Sequence, residues 1–202
     1  MMTGRVVVAS LNRAKAREIA EILVAEGLAL EVVLLTDFPD VTLPPETGRT
    51  FAENALAKAR ATASTTGLPA IADDSGLEVD ALGGEPGVRS ARYAGAGASD
   101  EARYRKVLGL LTHVPDDLRA ARFRCAAAFV SPDGMELLAE GTCEGRIARA
   151  PSGTGGFGYD PVFLPEGHAV TMAQLTAAQK HAISHRGRAF RELARLLRQS
   201  QG

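Results

Sequence analysis

An α/β fold is what this sequence predicts, on three observations. The chain opens with a short β-branched run, a polar loop, a helical stretch and a second β-branched run, the order of a βαβ unit. Helix-start signals recur downstream at Thr50, Ser99 and Thr176. Two long alternating runs meet at Pro132-Asp133-Gly134, the chemistry of a hairpin turn.

Residues 5–10 read as a buried strand, because Val6, Val7 and Val8 form a β-branched run closed by a polar loop. Residues 14–26 read as a helix with Ile19, Ile22 and Leu23 on its apolar face and Gly27 as its stop. A second strand covers 31–35, and prolines with Gly48 make 36–49 a loop. Thr50-Phe51-Ala52-Glu53 is a capping box, in which the Thr50 hydroxyl accepts from the Glu53 N–H and the Glu53 side chain reaches back to Thr50. Its helix runs to Thr65 and closes at Gly67. Residues 69–72 form a strand that Asp73-Asp74-Ser75-Gly76 ends, with extended structure resuming over 77–79. Residues 83–87 are turn material. Ser99 caps a helix over 100–111. The strand pair covers 122–130 and 135–147, and 151–158 is a glycine-rich loop without periodicity. Thr176 and Gln179 form another capping box over a short helix. Ser184 caps the last helix, 186–199, with Phe190, Leu193, Leu196 and Leu197 facing inward. With no linker and no internal repeat, residues 1–202 read as a single domain.

The chain of 202 residues balances 23 Lys and Arg against 24 Asp and Glu, a net charge of −1, which argues against a nucleic-acid footprint or a polybasic membrane surface. With 46% hydrophobic and 23% charged residues it is an ordinary globular composition, long enough to bury a core without disulfides or a structural metal. Cys125 and Cys143 stand in apolar, strand-like surroundings and read as buried free thiols rather than a disulfide. No apolar run approaches the roughly 18 residues of a membrane span. The start, Met1 to Ser10, is too short in its apolar part for a secretory leader, so a cytoplasmic location is expected.

Four segments hold polar residues that a plain loop would not need. Ser10-Leu11-Asn12-Arg13-Ala14-Lys15 lies at a strand-to-helix turn, where backbone N–H groups and the helix dipole suit a polyphosphate, with Arg13 and Lys15 adding full charges. A solvated first turn is the other reading, and the segment is no Walker A loop. Asp73-Asp74-Ser75 stands at a strand end, where α/β sheets collect ligands, and alternation sends the two carboxylates in different directions. An ordinary acidic turn is the alternative. In residues 152–161, glycines permit close backbone approach, and Phe157 offers a stacking face for a planar base; a flexible hairpin with a core Phe is the alternative. Residues 180–188 are a cationic donor cluster, in which His181 and His185 lack a third ligand for a metal, so hydrogen-bond donation to a ligand stands against a solvated helix start.

Together these segments resemble the inosine triphosphate pyrophosphatase family, the house-cleaning purine nucleoside triphosphatases of the HAM1/RdgB type. The resemblance runs in order through nearly the whole chain: Thr50-Phe51-Ala52-Glu53-Asn54-Ala55 with Lys58, Ala72 to Leu77, Ser90-Ala91-Arg92-Tyr93, Gly153 to Pro161 and Ser184-His185-Arg186-Gly187. It implies an elongated mixed, twisted sheet flanked by helices, in two lobes with a central cleft, and a homodimer. It also implies Mg²⁺-dependent hydrolysis of ITP, dITP and XTP to the monophosphate and pyrophosphate. Asp74 matches the general base and, with Glu46 and Asp73, the metal ligands. Ser10, Asn12, Arg13, Lys15 and Lys58 match the triphosphate contacts, and Ser75 a nucleotide contact beside Asp74. Phe157 would stack on the base, while Gly158, Tyr159, Asp160, Lys180, His185 and Arg186 line its pocket, with His185 and Arg186 donating to the C6 oxygen that adenine lacks. The first loop departs from the family's Thr-Gly-Asn by reading Ser10-Leu11-Asn12, and Pro45-Glu46 stands where many bacterial relatives carry two glutamates. Two alternatives are a Maf-type nucleotide pyrophosphatase of shared architecture, which the aromatic-glycine loop and Ser-His-Arg argue against, and a non-catalytic nucleotide-sensing module, which Asp73-Asp74 argues against.

Overall fold

The first strand and helix follow directly from their residues. In the computed structural model, which describes residues 4–28 and 30–200, Val6, Val7 and Val8 are fully buried in β1 (Gly4–Val8). Met1–Thr3, part of the stretch considered for a leader, lie outside the described residues. Asn12 accepts the N–H groups of Ala14 and Lys15 and so starts α1 (Arg13–Ala25), which buries Ile19, Ile22 and Leu23. After it come β2 (Leu30–Leu34), α2 (Phe51–Thr66), β3 (Ala70–Val79), α3 (Asp100–Leu110), β4 (Ala120–Val130), β5 (Glu136–Ile147), β6 (Phe163–Pro165), α4 (Ala177–Ile183) and α5 (His185–Gln199).

The strands form one six-stranded sheet in the order β2-β1-β3-β4-β5-β6. β1 runs parallel to both β2 and β3, while β6 runs antiparallel to β5, so the sheet is mixed and the protein is α/β, as expected. Among the described residues no helix is long and apolar enough to cross a membrane.

The expected break in the third strand is not there. β3 runs unbroken from Ala70 to Val79, through both aspartates. Its pairing with β1 does stop where the break was expected, at Val8↔Ile71, but β4 borders its other edge. An acidic pair therefore marks the end of the parallel pairing and not the end of the strand. β6 was also not foreseen, because three residues carry no readable period. Gly145 lets it in: a Cβ there would strike the Leu164 carbonyl.

The caps hold with one correction. Thr50 accepts from the Glu53 N–H at 3.1 Å, but the Glu53 carboxylate reaches the Arg49 N–H at 2.6 Å, one residue beyond Thr50. Gly67 closes α2 at φ 64°, and Ser99 and Thr176 cap α3 and α4. Ser184 is extended and separates α4 from α5. Both cysteines are buried free thiols.

The chain divides into two compact units, each with its own apolar core. The first comprises the chain up to Asp74, Cys125–Gly141 and everything from Arg186 on, and its core joins α1 and α5 to Val6, Val8, Ile71, Ala127 and Phe129. The second comprises Ser75–Arg124 and Thr142–His185, with Leu77, Val107, Leu111, Phe123, Ile147, Phe163 and Met172 at its centre.

The second unit also contains a buried arginine that composition does not reveal. Arg119 is 1% exposed and donates to the carbonyls of Leu111, Ile147 and Ala148 at 2.7 to 2.9 Å. It thereby satisfies the C-terminal end of α3 and the end of β5 at once. Burial pulls its basicity down, yet a guanidinium stays charged. Arg119→Met would take a charged donor from three carbonyls, and we expect about 3 kcal/mol less unfolding free energy in urea titration.

Candidate active site

The aspartates of β3 sit on opposite faces of one strand, as period-two geometry requires. Asp73 is buried and faces cations. Its Oδ2 accepts from Arg186 Nε at 3.3 Å and Nη2 at 3.1 Å, and Lys15 Nζ lies 3.3 Å away. Burial alone would push the Asp73 carboxyl up, but Lys15, Arg186 and Lys58 together hold it well below the usual carboxylate range. Arg186 is itself 1% exposed, and its third nitrogen, Nη1, donates to Glu18 on α1 at 2.6 Å.

Asp74 has different neighbours. Its Oδ2 accepts from Asn54 Nδ2 at 2.8 Å, and Lys58 Nζ lies 3.7 Å from its Oδ1. Asn54 and Lys58 are four residues apart on α2 and so share one face of the helix. Lys58 also donates to Glu46 Oε1 at 2.8 Å, so Glu46 and Asp74 converge on a single ammonium. The Asp74 carboxyl is raised above its ordinary value, chiefly by burial and further by Glu46, against the pull of Lys58 and Lys15. Lys58 is raised too: burial lowers it, but Asp73, Asp74 and Glu46 outweigh that.

The strand-to-helix turn lies in the same unit. Asn12, Arg13 and Ser10 line its start; the Asn12 amide oxygen is spent on the helix cap, which leaves the amide N–H groups as the donors it can offer an anion. Ser10 Oγ accepts from the Asn12 N–H at 3.2 Å and holds the turn.

The second unit holds a separate cluster. Asp160 is buried and accepts, at one oxygen, from the Phe157 N–H at 2.9 Å and from Lys180 Nζ at 2.7 Å. Lys180 Nζ stands 4.7 Å from the centre of the half-buried Phe157 ring, a cation–π contact. His185 stacks on Phe123 at 4.7 Å and 15°. The glycines are set by packing: a Cβ at Gly153 or Gly155 would meet the Ala173 backbone at 2.7 to 2.8 Å, and one at Gly156 would strike the Asp160 carboxylate. Gly158 donates its N–H to Asp100 at 2.7 Å.

Three expected placements differ. The Arg186 side chain is on Asp73 and Glu18 in the first unit and not among the base-pocket side chains, because two carboxylates take all three of its nitrogens. Tyr159 is a core residue whose hydroxyl donates to the Ser90 carbonyl at 2.9 Å. Asp73, expected beside Glu46 and Asp74 as a ligand, turns to Lys15 and Arg186, and among the described residues no three His, Cys, Asp or Glu side chains form a metal cage. Ser75 follows Asp74 on β3, half-buried, in the second unit. Glu18, Gly48 and Asn54 belong to the first cluster without having been assigned a part in it. The sequence signals for Asn54 are its place in the Thr50–Ala55 stretch and its position four residues before Lys58 on a helix rich in alanine.

The model of the Ham1 family matches residues 6–196. The chain belongs to the Ham1 family. A relative named dITP/XTP pyrophosphatase from Frankia alni is 54% identical over 200 residues, covering 96% of this chain and 98% of the relative. One of the same name from Streptomyces coelicolor is 49% identical, covering 98% and 99%. Among solved structures, a HAM1 protein from Coxiella burnetii superposes with a TM-score of 0.87 at 44% identity, covering 98% of this chain and 100% of that one.

The depressed carboxyl of Asp73 has a consequence for acid stability. Its folded-state value lies below its unfolded one, near 3.9. The stabilisation is therefore complete above that value and is lost as pH falls through it toward the folded value. Denaturation series between about pH 5 and about pH 2 should show wild-type stability falling more steeply than that of Asp73→Asn. At neutral pH that variant should be weaker by roughly 3 kcal/mol, because Arg186 stays buried with Glu18 as its remaining carboxylate partner.

Proposed function

We propose that this chain hydrolyses the deaminated purine nucleoside triphosphates ITP, dITP and XTP to the monophosphate and pyrophosphate, clearing them from the nucleotide pool. The observation that carries the reading is Asp74, a buried carboxylate with raised proton affinity, gripped by an amide and flanked by lysine. Asp74 takes a proton from water as the water oxygen bonds to the α-phosphorus. The bond from that phosphorus to its bridging oxygen breaks, and pyrophosphate leaves with the electron pair. Lys15, Lys58 and the start of α1, with Ser10, Asn12 and Arg13, would hold the phosphates.

The donor set fits Mg²⁺. Glu46 and Asp74 offer hard oxygens that already share one cation, and this ion is commonly held by one or two carboxylates together with substrate phosphates. When bound, Mg²⁺ would neutralise charge on the phosphate oxygens. In this reading Asp73 holds Lys15 and Arg186 in place, which its ion pairs with both support.

For the base, Phe157 supplies the ring, and the Asp160–Lys180 pair sets an acceptor beside a donor. Hypoxanthine and xanthine carry N1–H beside a C6 oxygen; adenine carries the reverse pattern. Lys180 as donor to the C6 oxygen discriminates against adenine by leaving the pair mismatched. His185 and Ser75 complete the nucleotide contacts in this reading. Family resemblance further supports a homodimer acting in the cytoplasm, for which sedimentation at twice the chain mass is the measurement.

Asp74→Asn should lower kcat by on the order of 10²–10⁴. The assay follows pyrophosphate release from ITP with Mg²⁺; orthophosphate as first product, or a variant within tenfold of wild type, would sink the reading. Lys180→Met should reduce the ITP-to-ATP ratio of kcat/KM by roughly ten- to a hundredfold, the worth of a charged hydrogen bond. Equal proportional losses for both substrates would remove Lys180 from base recognition.

A further inference from the structure

Asn54 lies in the middle of a hydrogen-bonded relay from the Gly48 backbone to the Asp74 carboxylate. It is 2% exposed, a costly place for a primary amide unless both its ends are satisfied. Both are. Its Oδ1 accepts from the Gly48 N–H at 2.8 Å, and its Nδ2 donates to Asp74 Oδ2 at 2.8 Å. The Gly48 N–H is a donor only, so the oxygen must face it, and the amide group has a single orientation in which its N–H points at the carboxylate.

Gly48 is the other half of the device. A Cβ at this position would stand 2.6 Å from Asn54 Oδ1 and 2.9 Å from Glu53 Cβ. Only a residue without a side chain brings its N–H this close. The adjoining chain is fastened to the same helix on both sides, by Arg49 N–H to Glu53 at 2.6 Å and by Glu46 to Lys58 at 2.8 Å. The Gly48–Asn54 bond therefore also registers the segment that carries Glu46 against the face of α2 that carries Lys58.

We propose that Asn54, held by the Gly48 N–H, is the positioning residue that sets the rotation of the Asp74 carboxylate and so aims it at the attacking water. The inference rests on the reading of Asp74 as the catalytic base. A carboxylate on a single-bond hinge can rotate; one gripped at Oδ2 by a fixed amide cannot, and pre-set geometry of this kind is what a proton transfer in the transition state needs. The role is orientation and not substrate binding, so it acts on kcat.

The test measures kcat and KM for ITP, with thermal midpoints as a control for folding, in Asn54→Leu, Asn54→Asp, Gly48→Ala and Asp74→Asn. Asn54→Leu, similar in shape but without polar ends, should lower kcat roughly ten- to a hundredfold with KM within about threefold. Asn54→Asp, which replaces the donor with an acceptor, should lose at least as much. Gly48→Ala should lower kcat by about tenfold although both members of the amide–carboxylate bond are still present. It tests the relay if Asn54→Leu does not fold. Folded Asn54 variants that keep kcat within about twofold, or that raise KM with kcat unchanged, overturn the proposal. If Asp74→Asn itself stays active, the catalytic reading has failed and the positioning role fails with it. If Asp74→Asn is inactive and the Asn54 variants are not, only the positioning role is lost.

Discussion

Two adjacent carboxylates buried within one β-strand are the constraint to which the first unit answers. Taking an ionised carboxylate out of water costs several kcal/mol unless charge and hydrogen bonds replace the lost hydration. Here the replacement comes from elements far apart in sequence: Lys15 from α1, Asn54 and Lys58 from α2, Arg186 from α5. Each is carried by a helix, and α1 and α5 also contribute apolar residues to the core around Ile71. Apolar packing and charge compensation therefore agree on where these helices lie, and neither has to be argued without the other.

The strand's period divides the pair into two kinds of acid. Asp73 faces Lys15 and Arg186 and is held ionised; Asp74 faces Lys58 and Asn54, with burial and Glu46 raising its affinity for a proton. One is a fixed anion that anchors cations, the other a group able to accept a proton. Neighbouring residues of the same type thus have opposite electrostatic settings because a β-strand presents them to different surroundings. The second unit uses the same economy on a smaller scale, where a single oxygen of Asp160 takes both the Phe157 N–H and Lys180.

Local chemistry was legible in the sequence wherever it depended on near neighbours. The Thr50, Ser99 and Thr176 caps, the Gly67 stop and the β-branched first strand all follow from residues within four positions of each other. Features that depend on distant partners were not. The strand through Asp73 and Asp74 continues because another strand borders it, whereas composition alone makes Asp73-Asp74-Ser75-Gly76 its end. The donor cluster of residues 180–188 suggests a ligand contact for Arg186, but a long side chain goes where its counter-ions are, and Glu18 lies 168 positions away. The glycines of residues 153–156 looked like room for a ligand, and their close neighbours are Ala173, Gln174 and Asp160 of the same chain. Arg119 gave no signal, since nothing in a sequence distinguishes an arginine that serves three buried carbonyls from one in solvent.

The unbroken run of β3 places a limit on how this chain can change over time. A substitution along Ala70–Val79 changes the contacts of its own side chain, but an insertion or deletion before Asp73 would shift the parity of everything after it. Asp73 would then face Asn54 and Asp74 would face Arg186, with both acids kept and both settings exchanged. Length is thus more tightly bound here than composition. Drift in chain length belongs instead to turns such as residues 94–98, where an added residue changes no strand parity.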